Sequence, residues 1–180
     1  MKNIERYYKN TTYAKPNYTI KKFIELKIKP GNAIELGCGV GRDTVCLIKN
    51  GWNVLAIDRE NVESRIAAKL ETEELKQLKF LKQKFEYIEL EKNNLVVANF
   101  SLPFCNKNNF KELWNKINNS ILKDGYFVGN FFGDNDEWKN KKEEMKNQEK
   151  IKKQVKEIGY ELKDYTSEPY EKEGLFHFGK

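Results

Sequence analysis

The chain has 180 residues, 39% hydrophobic, 13% aromatic and 33% charged, which suits one packed core and is short for two. No apolar run nears the roughly 20 residues of a bilayer span, and Met1 to Lys9 offers no signal-peptide core, so a cytoplasmic chain without membrane segments is expected. The net charge of +6 invites a nucleic-acid reading, but arginine supplies only Arg6, Arg42, Arg59 and Arg65 among 33 basic residues, and planar recognition of phosphate or guanine favours arginine. The excess sits in two distant stretches, residues 1–30 and 139–160. Nucleic acid is therefore not the expected partner.

Three cysteines, Cys38, Cys46 and Cys105, form no C-x-x-C pair, and His177 is the single histidine. No metal site is expected. A thiol triad for a soft metalloid is the sharper reading of the cysteines, and small buried hydrophobes the simpler one. His177 alternates with Phe176 and Phe178 and reads as a strand residue.

In chain order, Ala33 to Leu36 is a short apolar strand after Pro30-Gly31, followed by a glycine-rich turn and a helix from about Arg42 that stops before Asn50-Gly51. Asn53 to Ile57 is a second strand closing on Asp58, residues 60–76 read as one helix, and Phe80-Leu81 with Tyr87 to Leu90 as a broken strand. Leu95 to Ala98 is a buried strand. Phe110, Leu113, Trp114, Ile117 and Ile121 fall at helical spacing. Lys123-Asp124-Gly125 reads as a turn into a strand Tyr126 to Phe132, Trp138 to Ile158 as a solvated helix, and Tyr160 to Tyr165 and Leu175 to Phe178 as the last strands. Such alternation argues for a parallel sheet covered by helices.

The informative segment is Ile34-Glu35-Leu36-Gly37-Cys38-Gly39-Val40-Gly41-Arg42-Asp43-Thr44, with Asp58 ending the next strand. Strand, glycine turn and helix start make a nucleotide site: glycines let backbone approach a ligand, and an acid after the second strand can accept from ribose hydroxyls. The spacing is G-x-G-x-G, and Arg42 stands where a dinucleotide fingerprint needs its third glycine. A pyrophosphate ligand is disfavoured.

This segment resembles motif I of the class I S-adenosylmethionine-dependent methyltransferases. With Asn99 to Cys105 and the loop Gly133 to Trp138, the chain is similar to the small bacterial branch of tellurite-resistance and thiopurine methyltransferases. The resemblance implies a Rossmann-like three-layer α/β/α sandwich with a mostly parallel seven-stranded sheet and an antiparallel last strand. It implies one domain over residues 1–180, with a helical lid in 1–30 and the Rossmann-like core in 31–180. S-adenosylmethionine is the implied cofactor and S-adenosylhomocysteine the product. Glu35, Gly37, Cys38, Gly39, Gly41, Asp58, Arg59, Phe85 and Asn99 are the implied cofactor contacts. Lys84 departs from the family, standing where many relatives carry an acid for the adenine amine, and the end at Glu171 to Lys180 comes early for the last strand.

The implied reaction is methyl transfer to a small molecule, a thiol or metalloid being favoured because a soft nucleophile needs little base help. For an alcohol or amine, Asp134, Asp136 and Tyr8 are the candidate catalytic bases. Tyr7, Tyr8, Phe104, Asp134, Asp136 and Trp138 are the candidate acceptor contacts. An RNA or protein methyltransferase and a cofactor-binding domain without turnover are the alternatives, and a monomer is the expected state.

Overall fold

The computed structural model describes residues 2–130, 161–166 and 175–179. Two helices, α1 (Lys2–Thr11) and α2 (Tyr18–Glu25), precede the first strand, β1 (Asn32–Leu36). Then follow α3 (Arg42–Lys49), β2 (Asn53–Asp58), α4 (Glu63–Ala67), α5 (Thr72–Leu75), β3 (Leu78–Lys82), β4 (Asn93–Ala98), α6 (Lys107–Ser120) and β5 (Ile121–Gly129). The last described strands are β6 (Glu161–Thr166) and β7 (Leu175–Gly179). Strand order across the sheet is β3-β2-β1-β4-β5-β7-β6. The first five strands pair in parallel, β7 lies antiparallel to β5, and β6 antiparallel to β7. This is the expected Rossmann-like α/β architecture with a parallel sheet.

Strand alternation divides the core into two layers. Ile34, Leu36, Ile57, Val96, Ala98 and Phe127 pack on one face with Leu113 and Ile117 of α6. Ala33, Val54, Ala56, Leu95, Val97 and Val128 pack on the other with Ile20 and Phe23 of α2 and Leu47 and Ile48 of α3. The second face therefore also receives Glu35 and Asp58, which alternate with Ile34 and Ile57. Helix α2 is built into that layer, with the Phe23 ring 5.5 Å from both Trp52 and Tyr126.

Three local expectations are corrected. Residues 60–76 form two short helices, because Glu71 starts a new one: its N–H donates to Glu74 Oε2 at 2.9 Å in a capping box. The supposed broken strand is an unbroken β3, while Phe85–Tyr87 is a single 3-10 turn and Ile88 drops into the core. The Lys123-Asp124-Gly125 turn lies inside β5 as an irregularity. Asp124 takes φ +62, a left-handed state that aspartate tolerates, and the β4–β5 register shifts between Asn93 and Leu95. The helix expected at Trp138 to Ile158 and the strand end at 131–132 lie outside the described residues. None of the described helices is long and apolar enough to cross a membrane.

Trp52 is buried against Phe23, so Trp52→Ala should cost about 3–5 kcal/mol of folding free energy in urea titration. A loss well under 1 kcal/mol would mean that α2 is not part of the cooperative core.

Candidate cofactor and acceptor cleft

The β1–α3 turn is held from within. Gly37 and Cys38 both donate their N–H to Ile57 O, at 2.8 and 3.0 Å, and Gly41 N–H donates to Cys38 O at 2.9 Å. Gly39 N–H donates to Asp58 Oδ2 at 2.8 Å. These four donors are spent on the turn itself and are not free for a phosphate. Gly39 has φ +53, and a Cβ there would meet nothing within 4 Å. Its backbone thus faces open space, whereas Gly41, at φ +74, is pressed against Ile66.

A cleft opens above this turn, lined by Tyr7, Thr11, Asn17, Glu35, Gly37 to Val40, Arg42, Asp43 and Asn99. Three carboxylates are buried around it, Glu35 (4% exposed), Asp43 (1%) and Asp58 (8%). Asp43 is the most heavily bonded: Oδ1 accepts the Asn17 N–H at 2.7 Å, and Oδ2 accepts from the Asn17 side-chain amide and, at 2.8 Å, from Asn99 Nδ2. Asn99 Oδ1 in turn accepts from Thr19 Oγ1 at 2.9 Å, and Arg42 donates to Asn17 Oδ1. Asp58 Oδ1 accepts from Glu60 N–H at 2.9 Å and, more weakly, from Tyr8 Oη at 3.4 Å.

Glu35 accepts from the Thr44 hydroxyl. Burial first, and then the Asp43 carboxylate, push its carboxyl well above the ordinary range, against smaller opposing pulls from Thr44 and Arg42. Tyr8 is buried where α1 crosses the turn, with Arg65 over its ring. Burial and then Asp58 push its phenol up, which keeps the proton on and is the reverse of what a general base needs. Burial likewise pushes the Cys38 thiol up, which disfavours the thiolate.

The cleft thus gathers Glu35, the glycine turn, Asn99 and Tyr7 from the sequence-derived set, with Asp58 held behind Gly39 and Tyr8 bonded to Asp58. Phe85 sits beneath the turn, its Cε1 3.7 Å from where a Gly37 Cβ would lie. Arg59 points to solvent with Glu60 3.7 Å away, and Phe104 is 55% exposed on a 3-10 turn. Asp134, Asp136 and Trp138 lie outside the described residues. Sequence reasoning did not assign a role to Asn17, Thr19 or Asp43. Asp43 stood in the quoted motif, but an acid in a first helical turn looks like ordinary dipole matching until its burial is known.

The architecture is that of Rossmann-like methyltransferases. The 1,6-didemethyltoxoflavin-N1-methyltransferase of Burkholderia thailandensis superposes with a TM-score of 0.72 at 13% identity, over 90% of this chain and 76% of that one. A TehB-like SAM-dependent methyltransferase from Corynebacterium glutamicum gives 0.68 at 17% identity, covering 99% of this chain and 97% of that one. TehB from Haemophilus influenzae gives 0.68 at 18% identity, over 89% of this chain and 61% of its own length, so the chain spans about three-fifths of that protein. No curated protein matches. The family model described as tellurite resistance protein TehB matches residues 2–138, and the chain belongs to that family.

Because Glu35 binds its proton more tightly folded than unfolded, its contribution to stability is full below its ordinary value of 4.5 and declines as pH rises above it. Glu35→Gln removes this decline and keeps an oxygen for Thr44. The melting temperature of the variant relative to wild type should therefore rise between pH 5 and pH 8, as followed by circular dichroism; a relative fall would contradict the assignment.

Proposed function

We propose that the chain is an S-adenosylmethionine-dependent methyltransferase acting on a small-molecule acceptor, with a thiol or metalloid nucleophile favoured. The observation that carries this reading is the cleft itself: buried carboxylates surround a glycine turn whose donors are internally used, a polarity suited to a cationic nucleoside and unsuited to a pyrophosphate. Membership of the TehB family supports it, as do structural relatives crystallised with S-adenosylmethionine or S-adenosylhomocysteine.

In this reading Gly39 leaves room for the nucleoside, and Asp58, already fixed by Gly39 and Glu60 N–H groups, has lone pairs left for ribose hydroxyls. Glu35 and Asp43 supply the electronegative wall toward the amino-acid end, with Arg42 and Asn17 beside them for a carboxylate. Asn99, clamped by Asp43 and Thr19, borders the methyl group. The bound cofactor supplies an activated methyl group. The protein's part is to hold the acceptor aligned at roughly 3–3.5 Å, and a soft nucleophile requires no protein base for that step. The α1 segment, whose Tyr7 lines the cleft and whose Tyr8 meets Asp58, serves as a lid.

S-adenosylhomocysteine at about 100 times its dissociation constant adds about 2.7 kcal/mol, which should raise the melting temperature by roughly 5–10 °C, whereas NAD should give no shift. Asp58→Asn should weaken binding by about 1.5–3 kcal/mol in calorimetry, since a charged acceptor is lost. Release of S-adenosylhomocysteine over a panel of thiols, metalloid oxyanions and bulk RNA tests turnover. RNA-dependent release alone would move the reading to a macromolecular acceptor, and cofactor binding without release on any substrate to a binding domain.

A further inference from the structure

The ends of β4 and β5 carry a feature that neither the turn nor its carboxylates explain. Asn130 is 2% exposed, and its Oδ1 accepts the Phe100 N–H. That bond holds Phe100 at φ +54, a left-handed conformation that a bulky residue adopts only when its surroundings compel it. The side-chain oxygen is thereby committed, yet among the described residues Asn130 Nδ2 is buried with no hydrogen-bond partner, and so is the hydroxyl of Ser101, the next residue after Phe100. A buried donor left unmet is costly, because it has lost its water and gained nothing in return. Two of them, one on the strained bend and one on the residue that holds it, point to a group that meets them when it binds.

Register sets Asn130 beside a residue that lines the cleft. Val97 lies opposite Val128 and Ala98 opposite Gly129, so one more step sets Asn99 abreast of Asn130. Val97 and Val128 belong to the layer shared with α2 and α3, and alternation carries Asn99 and Asn130 to that same face. Asn99 lines the cleft. Ser101 packs against the turn, its Cβ 2.6 Å from the point a Gly37 Cβ would occupy.

We propose that Asn130 and Ser101 form the polar edge of the acceptor subsite and that the methyl acceptor carries a hydrogen-bond-accepting oxygen, received by Asn130 Nδ2 with Ser101 Oγ beside it. The proposal rests on the methyltransferase reading and adds to it the chemistry of the second ligand. An oxygen on the acceptor makes the bend specific, because an oxygen-free analogue leaves both donors unmet. It also fits a subsite beside Asn99, whose own amide and carbonyl are consumed by Asp43 and Thr19.

Asn130→Asp tests this while retaining an oxygen for the Phe100 N–H and replacing the free donor by an acceptor. Selenite and benzoate serve as oxygen-bearing probes and thiophenol as the oxygen-free control, each titrated by calorimetry into the protein saturated with S-adenosylhomocysteine. The expected result is that selenite or benzoate binds wild type, that Asn130→Asp weakens it at least about tenfold, roughly 1.4 kcal/mol, and that Ser101→Ala weakens it to a smaller extent. Thiophenol binding and S-adenosylhomocysteine affinity should stay within about twofold, on the order of 0.4 kcal/mol. Should Asn130→Asp not fold, the wild-type Asn130 side-chain amide signal in a nitrogen–proton correlation spectrum should shift on adding the bound probe. Failure of both oxygen-bearing probes to bind wild type at millimolar concentration, equal binding by the variants, or parallel loss of S-adenosylhomocysteine affinity overturns the proposal. If wild type binds no S-adenosylhomocysteine, the methyltransferase reading fails by itself, and the same titrations on the free protein still report on Asn130.

Discussion

The Asp43 carboxylate is the constraint on which the cleft depends. It is an ionisable group in the interior, and such a group is tolerated there only when hydrogen bonds replace water. Three N–H donors do so, two from Asn17 and one from Asn99. The partners come from segments far apart in sequence: Asn17 from the approach to α2, Asn99 from the end of β4, and Asp43 itself from α3. Bonding Asp43 therefore fixes how α2 sits against the sheet and which way the Asn99 amide faces. The orientation follows from chemistry, since a carboxylate accepts only and Asn99 must present its NH2, leaving its oxygen for Thr19.

The same logic of complete pairing governs the glycine turn. In phosphate-binding loops, unpaired amides wait for an anion. Here Ile57 O, Cys38 O and Asp58 take the amides of Gly37, Cys38, Gly39 and Gly41, and what remains toward the cleft is largely electronegative. Burial first, and then competition with the Asp43 carboxylate, push the Glu35 carboxyl up. A cationic ligand relieves that competition and an anionic one aggravates it. Next to Asn99 the character is opposite: Ser101 Oγ and Asn130 Nδ2 are buried donors unmet among the described residues, beside the strained backbone of Phe100.

Much of the core was legible in the residues. Strands β1, β2 and β4 followed from short β-branched runs bounded by turn signals, and α6 from Phe110, Leu113, Trp114 and Ile117 at helical spacing. Where reading failed, local propensity was overruled by a neighbour. The Ala, Glu, Leu and Lys composition of 60–76 favours one helix, but the Glu71 capping box restarts the chain. Asp124-Gly125 resembles a hairpin turn, but pairing on both sides with β4 makes it a bulge. The burial of Tyr8, a residue of α1, against Asp58 is likewise invisible in one dimension, and it pushes the phenol up.

What the sequence determined by itself was the class of site. Glu35, the G-x-G-x-G turn and Asp58 are close in sequence, and their spacing alone, with a strand before and a helix after, specifies a nucleoside site without phosphates. That much is local geometry. Tertiary structure decided everything that joins distant segments: the burial of Asp43 between Asn17 and Asn99, the crossing of Tyr8 onto Asp58, and the meeting of Asn130 with Phe100. The physical reason is that a polar residue carries no sign of its depth in its own neighbourhood. Whether an asparagine or aspartate is a solvated surface group or a buried, fully or partly satisfied one depends on which strand ends are brought abreast, and only the assembled sheet sets that.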